Sequence, residues 1–292
     1  RSLVQSLKNI DKVVGTPLCF FLGILDRFFV TRNQPLTEFK RILVIKLVAI
    51  GDLVVALPTL KAIKKSYPQS RLTILVTPRV KEVVEGYPYL DEIVYYDILG
   101  KDKGLKGLLR IIRKIRRENF DLVVDLEQYY RITSLISYFS GIPNRAGFDL
   151  AGQGRRNLFT IKIPYLTEKH EVETFLEAAS QIGADISEKG LVEIWVSLED
   201  RKYVDRFLKE AGVSADDLII GIHPGTGPSA ISRRWQPEKY VVLADWMISE
   251  LKAKVIFTGS LLEIGMINEI TECMISPPIV AAWKTSLKQL AE

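Results

Sequence analysis

Two successive α/β units, each a parallel sheet covered by helices, are what this sequence predicts, and three observations predict them. From Lys40 to about Lys189, apolar runs at 42–48, 72–77, 92–96 and 122–126 alternate with helical patterns at 53–66, 80–85 and 105–117, the order that builds βαβ crossovers. These runs are apolar at nearly every position, as strands covered on both faces are. Near Leu191 the alternation starts again, with helices at 200–211 and 237–251 and strands at 218–223 and 254–258. A chain of 292 residues has room for both units. The expected boundaries are 1–39 for an N-terminal segment, 40–190 for the first domain and 191–292 for the second.

Bulk properties narrow the ligand classes. Hydrophobic residues make up 47% of the chain and charged residues 26%, enough apolar mass for real cores. With 40 Lys and Arg against 35 Asp and Glu, the net charge is +5, which suits an anionic membrane surface or a phosphorylated ligand. Nucleic acid is disfavoured, because no aromatic residues interleave with the basic ones as a stacking platform. Cys19 and Cys273 lie far apart with no metal-like spacing. They fit a reducing compartment, with both thiols buried or interfacial. Two isolated histidines, His170 and His223, cannot build a usual nitrogen-ligand site, so no metal is expected.

The segment before Glu38 has its own pattern. An apolar run from Pro17 to Leu25 is broken by Asp26 and Arg27. It is shorter than the roughly 20 apolar residues a membrane span needs, and no small-residue cleavage site follows it. Lys8, Lys12, Arg27 and Arg32 flank the run, which points to an amphipathic helix lying on an anionic leaflet. A helix packed on its own domain or on a second subunit is the alternative. The chain opens at Arg1 and stops at Glu292, just after a helix start at Thr285-Ser286-Leu287, and this is expected to be a fragment.

The first strand breaks at Gly51 and delivers Asp52 to the start of a helix in which Pro58 falls in an early turn. Ligands of open α/β sheets bind at such strand ends. Asp52 could cap the helix or act as a general base on a bound hydroxyl. The basic run at 113–117 reads as a solvated face near a helix C-terminus, with phosphate binding as the alternative. After Tyr129-Tyr130-Arg131 a helix runs to Ser140. A loop-rich stretch follows, in which Gly147, Gly152 and Gly154 accompany Arg145, Arg155 and Arg156. Glycine beside arginine in loops could contact an anionic ligand, or could be plain turn chemistry. A helix over 170–182 follows, with His170 as its start.

In the second unit, Ile222-His223-Pro224-Gly225-Thr226-Gly227-Pro228-Ser229 ends a strand and precedes Arg233-Arg234-Trp235. Backbone N–H groups near Gly225 and Gly227, hydroxyls of Thr226 and Ser229, and the two arginines would cradle a pyrophosphate. Trp235 is expected as a packing anchor. Thr258-Gly259-Ser260 ends the next strand, and Glu263 beyond it could bind a sugar hydroxyl or open the next helix. No G-x-G-x-x-G follows a strand and no P-loop is present, which disfavours dinucleotide oxidoreductases and P-loop enzymes.

The stretch 41–58 around Ile45-Lys46-Leu47-Val48-Ala49-Ile50-Gly51-Asp52, the His-Pro-Gly-Thr loop with Arg-Arg-Trp-Gln-Pro-Glu after it, and the Thr-Gly-Ser…Glu turn together resemble glycosyltransferase family 9. That family comprises the bacterial lipopolysaccharide heptosyltransferases and their relatives. The resemblance implies a GT-B fold of two Rossmann-like domains facing across a cleft, acceptor on the first and nucleotide-sugar donor on the second. It implies inverting, metal-independent transfer without a cofactor, the nucleotide-diphosphate sugar being a substrate. Asp52 matches the catalytic base, with Lys46 and Gly51 in the same loop. Thr226, Arg233 and Glu263 match donor-binding positions beside Gly225 and Gly227. Arg233 stands where lysine is usual, and a guanidinium can grip a diphosphate with two prongs. Arg131 and Arg145 are expected on the acceptor side. The family's Asp-Thr-Gly-Pro-x-His element would fall beyond Glu292, so the second domain is expected to be incomplete. ADP-heptose and a glycolipid of the lipopolysaccharide core are the implied substrates, at the cytoplasmic face of the inner membrane. The alternative is a sugar-nucleotide-binding or scaffold protein of the same fold without turnover.

Overall fold

The computed structural model describes residues 8–29, 38–188 and 190–292. Arg32 and the side chains of Arg27 and Ser229, all singled out above, lie outside what it describes. The chain divides into two compact units, Arg1–Trp195 and Val196–Glu292, and the helix formed by the described part of the N-terminal segment belongs to the first.

The first unit is a six-stranded, wholly parallel sheet. Its strands are β1 (Arg41–Ile45), β2 (Arg71–Val76), β3 (Glu92–Tyr95), β4 (Leu122–Asp125), β5 (Asn144–Phe148) and β6 (Ile161–Ile163), in the order β3-β2-β1-β4-β5-β6. The helices, in chain order, are α1 (Thr16–Phe29), α2 (Ile50–Ser66), α3 (Lys81–Val84), α4 (Gly104–Arg117), α5 (Arg131–Phe139) and α6 (Glu171–Ser180). Right-handed crossovers put α2 and α3 on one face of the sheet and α4 and α5 on the other. The π-helical turn Asp11–Gly15 and α1 pack against α5. Residues on both faces of β1, β2 and β4 are sealed from solvent, Leu43, Val44, Ile74, Val123 and Val124 among them, which is why these strands read as unbroken apolar runs.

Three expectations need correction. Helix α2 begins at Ile50, not at 53, so Pro58 lies in its third turn and leaves the Val54 carbonyl without its helical donor. The stretch expected as loop after Gly141 contains β5, whose five residues are all buried. Asn, Arg and Gly fill this strand, so composition hid it. Cys273 is exposed, while Cys19 is buried and burial pushes its thiol up.

The second unit holds a parallel sheet of β7 (Ile219–Ile222), β8 (Lys254–Phe257) and β9 (Ile279–Val280). Helices α7 (Leu198–Glu210), α8 (Pro237–Ser249), α9 (Ile264–Glu272) and α10 (Leu287–Ala291) accompany it. Its core gathers Ile222, Ala244, Val255, Phe257, Ile267 and Ile270. Ser197 and Asp200 form a capping box that fixes the start of α7.

Candidate active site

Strand order reverses at β1, so the carboxyl ends of β1 and β4 flank the switch point where open α/β sheets bind ligands. Asp52 sits there, in the third position of α2. It does not cap that helix: the N-cap is Ala49, with no side-chain cap bond. Ala49 is held at φ 71, a conformation that costs a residue with a Cβ of order 1–3 kcal/mol. The Asp52 side chain is 42% exposed, and its Oδ2 accepts a 3.0 Å hydrogen bond from Lys46 Nζ. Its other oxygen has no partner among the described residues. At Gly51 an added Cβ would meet nothing within 4 Å, so space beside the carboxylate is open.

Lys46 is only 1% exposed, and a buried ammonium needs compensation. It receives it from three sides: Asp52, Gln128 Oε1 at 3.2 Å and Glu127 Oε2 at 3.6 Å. Glu127 is as deeply buried, and its Oε1 accepts from the Leu47 and Val48 amides at 2.7 and 3.0 Å. Burial pushes the Glu127 carboxyl up, against the Lys46 charge and those two amides. Gln128 donates in turn to Glu171, which Tyr165 also holds. Sequence reading missed Glu127, Gln128 and Glu171. The signal for the first two was present, since an acid and an amide stand just beyond β4, after Leu126.

Other arginines expected at this site do structural work. Arg131 opens α5, where its Nε donates to Thr16 Oγ1 at 3.1 Å and its amide to Asp11 at 3.0 Å, so it binds the N-terminal helix. Arg145 lies inside β5, not in a loop. Its guanidinium donates to the Leu158 and Ile142 carbonyls at 2.7 and 2.9 Å, approaches Asp26 and lies over Tyr138. Arg155 is fully buried in an ion pair with Asp125 at 2.8 Å. His170 is the N-cap of α6, as expected, its Nδ1 accepting from the Val172 amide at 3.2 Å.

In the second unit, β7 and β8 are neighbours, so the loops at their carboxyl ends meet. Ser260 and Glu263 form a capping box at the turn after β8. Burial pushes the Glu263 carboxyl up, yet the Ser260 amide and hydroxyl, with the charges of His223 and Arg234, outweigh it and hold the group below its ordinary value. Gly225 packs directly on this carboxylate: a Cβ there would come within 1.8 Å of Glu263 Oε1. His223 Nδ1 meets Thr258 Oγ1 at 3.1 Å. Thr226 is engaged by Arg234, whose Nε donates to its hydroxyl at 3.0 Å and Nη2 to its carbonyl at 3.1 Å. Arg233, expected as a donor-binding residue, is exposed and has no hydrogen-bond or ion-pair partner among the described residues. Gly227 is exposed, with open space at its Cβ position. Trp235 packs edge-on against Tyr240 and is partly exposed. No three His, Cys, Asp or Glu side chains among the described residues are placed to hold a metal ion.

Two Rossmann-like units, one with a lysine-braced aspartate at a strand-end switch point and the other with a Gly/Thr/Arg loop beside a capping glutamate, define an α/β protein of GT-B type. The family described as glycosyltransferase family 9 (heptosyltransferase) matches residues 108–292. The chain therefore belongs to glycosyltransferase family 9 and is an enzyme of glycosyl transfer. It is 26% identical to the lipopolysaccharide core heptosyltransferase OpsX of Haemophilus influenzae, over 86% of this chain and 70% of that protein. With lipopolysaccharide heptosyltransferase 3 of Escherichia coli it shares 22% identity over 82% of this chain and 71% of that one. A family 9 glycosyl transferase from Veillonella parvula superposes with a TM-score of 0.76 at 25% identity, covering 89% of this chain and 73% of the other. The Escherichia coli ADP-heptose heptosyltransferase II shares the fold with a TM-score of 0.66 at 22% identity, over 86% and 75%.

Proposed function

We propose that the protein transfers a heptose, with inversion and without a metal, from ADP-heptose to a glycolipid acceptor of the lipopolysaccharide core, working peripherally at the cytoplasmic face of an anionic membrane. The observation that carries this reading is Asp52: a half-exposed carboxylate at the switch point, excused from capping its helix and braced on one oxygen by a buried lysine. Its free oxygen takes the proton of an acceptor hydroxyl as that oxygen attacks the anomeric carbon. The bond from that carbon to the diphosphate breaks, and its electron pair leaves with the phosphate oxygen. Arg233, exposed and without a partner among the described residues, is suited to the departing diphosphate, as are the N–H groups around Gly225–Gly227. Arg234 holds the Thr226 loop in shape from behind.

The names of the relatives support the substrates, since they include lipopolysaccharide core and ADP-heptose heptosyltransferases. The membrane assignment rests on a lipid-anchored acceptor, which presents its sugar only at the bilayer surface. No helix among the described residues is long and apolar enough to cross a membrane.

Asp52→Asn keeps the shape and removes the base. Release of nucleotide diphosphate in the presence of acceptor should fall by about 10²–10⁴-fold, while donor binding stays near wild type. An Asp52→Asn enzyme with wild-type turnover would remove this residue from the mechanism.

A further inference from the structure

The N-terminal helix is apolar on both sides: Cys19 and Leu22, with Leu18 and Leu25, pack inward on Leu135 and Leu158, yet its outward side is apolar as well. A helix on a water-soluble protein buries its apolar stripe and shows its charges to solvent. Here the acids point inward. Asp11 accepts from the Arg131 and Ile132 amides at 3.0 and 2.8 Å, capping α5, and Asp26 faces the buried Arg145. The outward side carries Ile10, Val13, Val14, Phe20, Phe21 and Ile24, each between 46% and 71% exposed. Between Asp11-Lys12 and Asp26 the segment has no charge at all. Helical from residue 8 to 29, it is about 33 Å long.

A second feature lies on the same face of the sheet. Helix α4 packs on α5, and α5 packs on α1. From Lys103 to Arg117 there is no acidic residue. Lys106, Arg113, Lys114, Arg116 and Arg117 are exposed and have no ion-pair partner among the described residues. Arg110 is neutralised by Asp102 at 2.6 Å. Leu105 and Leu109, one turn apart, are exposed among these cations.

We propose that the outer sides of residues 8–29 and of α4 form one docking surface for the anionic leaflet of a bilayer, with α1 lying in the plane of the interface. This rests on the reading of a lipid-borne acceptor and says which surface meets the lipid. Hydrocarbon accounts for the phenylalanines, and lipid phosphates for the unpaired cations. A soluble anion would leave the apolar face uncovered. A second copy of this chain, related by a two-fold axis, would set like patches against each other, bringing the α4 cations together. The surface also lies near the candidate site, because α5, capped by Asp11, starts three residues after Gln128, a partner of Lys46.

The test is co-sedimentation of the full-length protein with vesicles of phosphatidylcholine alone or mixed with phosphatidylglycerol. Binding should favour the anionic vesicles by at least about tenfold and weaken with salt. Phe21→Glu/Ile24→Glu and Arg113→Glu/Lys114→Glu/Arg117→Glu alter only exposed side chains, so far-ultraviolet circular dichroism should stay unchanged while each set cuts partitioning about tenfold or more. The proposal is overturned if neither vesicle binds the wild type, or if both variants partition like it. It is overturned as well if Phe21→Glu/Ile24→Glu converts a dimer to a monomer in sedimentation velocity without changing partitioning. Transfer to a deacylated, water-soluble acceptor separates the two readings. The variants should use it at the wild-type rate and lose turnover only on vesicle-borne acceptor. Vesicle binding with no sugar transfer to either acceptor would retire the transfer reading and leave the docking surface standing.

Discussion

At the scale of single residues, Lys46 is the centre of the first site, since it faces two carboxylates that meet different surroundings. Asp52 reaches solvent, whereas Glu127 is sealed in and dedicated to the Leu47 and Val48 amides. Glu127 therefore sets the path of the strand-end loop, and that loop delivers the strained Ala49 and then Asp52. Lys46→Met would leave Glu127 buried without its counter-charge, which should cost about 3–5 kcal/mol in urea unfolding. Pairing it with Glu127→Gln removes the stranded charge, so the double variant should recover a good part of that loss. Strict additivity of the two changes would show that they do not interact. Asp52 could be read from sequence because a glycine and an acid after an apolar run mark a strand-to-helix junction. Glu127 was visible as an acid just beyond β4, but nothing in sequence says that it and Gln128 both turn into the core. The division of labour between Arg233 and Arg234 has the same origin: both charges were visible, but only the course of the loop shows that Arg234 holds Thr226 while Arg233 stays exposed.

At the scale of elements, the second site is a pair of turns pinned to one carboxylate. Glu263 closes the capping box with Ser260, seats Gly225 and lies near His223 and Arg234. Its carboxyl is held below the ordinary value of 4.5. The stabilisation it gives is therefore fully present above pH 4.5 and is lost as pH falls through the lowered folded-state value. Glu263→Gln keeps a capping side chain but no charge, and should cost about 0.5–1 kcal/mol at neutral pH. The gap between wild type and variant in urea midpoint should narrow as pH falls below 4.5. A gap that stays constant down to pH 3 would show that the charge is unimportant to the turn. Element type was legible wherever hydrophobic period and length agreed, as in β1, β2 and α4. It failed at β5, where Asn144, Arg145 and Gly147 disguise a strand. Arg145 is admitted there only because two carbonyls, Asp26 and the Tyr138 ring receive its guanidinium.

At the scale of the whole molecule, the two units differ in how completely they are covered. In the first, β1, β2 and β4 are shielded on both faces and the core runs unbroken from Leu43 to Ile142. In the second, Ile219 on β7 is 44% exposed, α7 and α10 contribute no buried residue, and Val242, Trp246, Leu262 and Ile275 face solvent. Less apolar area removed from water means less stabilisation against a conformational entropy that scales with length. The unit Val196–Glu292 should therefore melt first, giving two heat-absorption peaks in calorimetry. The lower one should carry the enthalpy of about 60–80 kcal/mol that a domain of about 100 residues absorbs. The chain provides an internal reporter: of its four tryptophans, Trp235, Trp246 and Trp283 lie in the second unit and Trp195 at the end of the first. Intrinsic fluorescence should change at a lower urea concentration than far-ultraviolet circular dichroism, which the larger unit dominates. A single calorimetric peak, with fluorescence and dichroism changing together, would mean that the two cores unfold as one cooperative body despite their unequal burial.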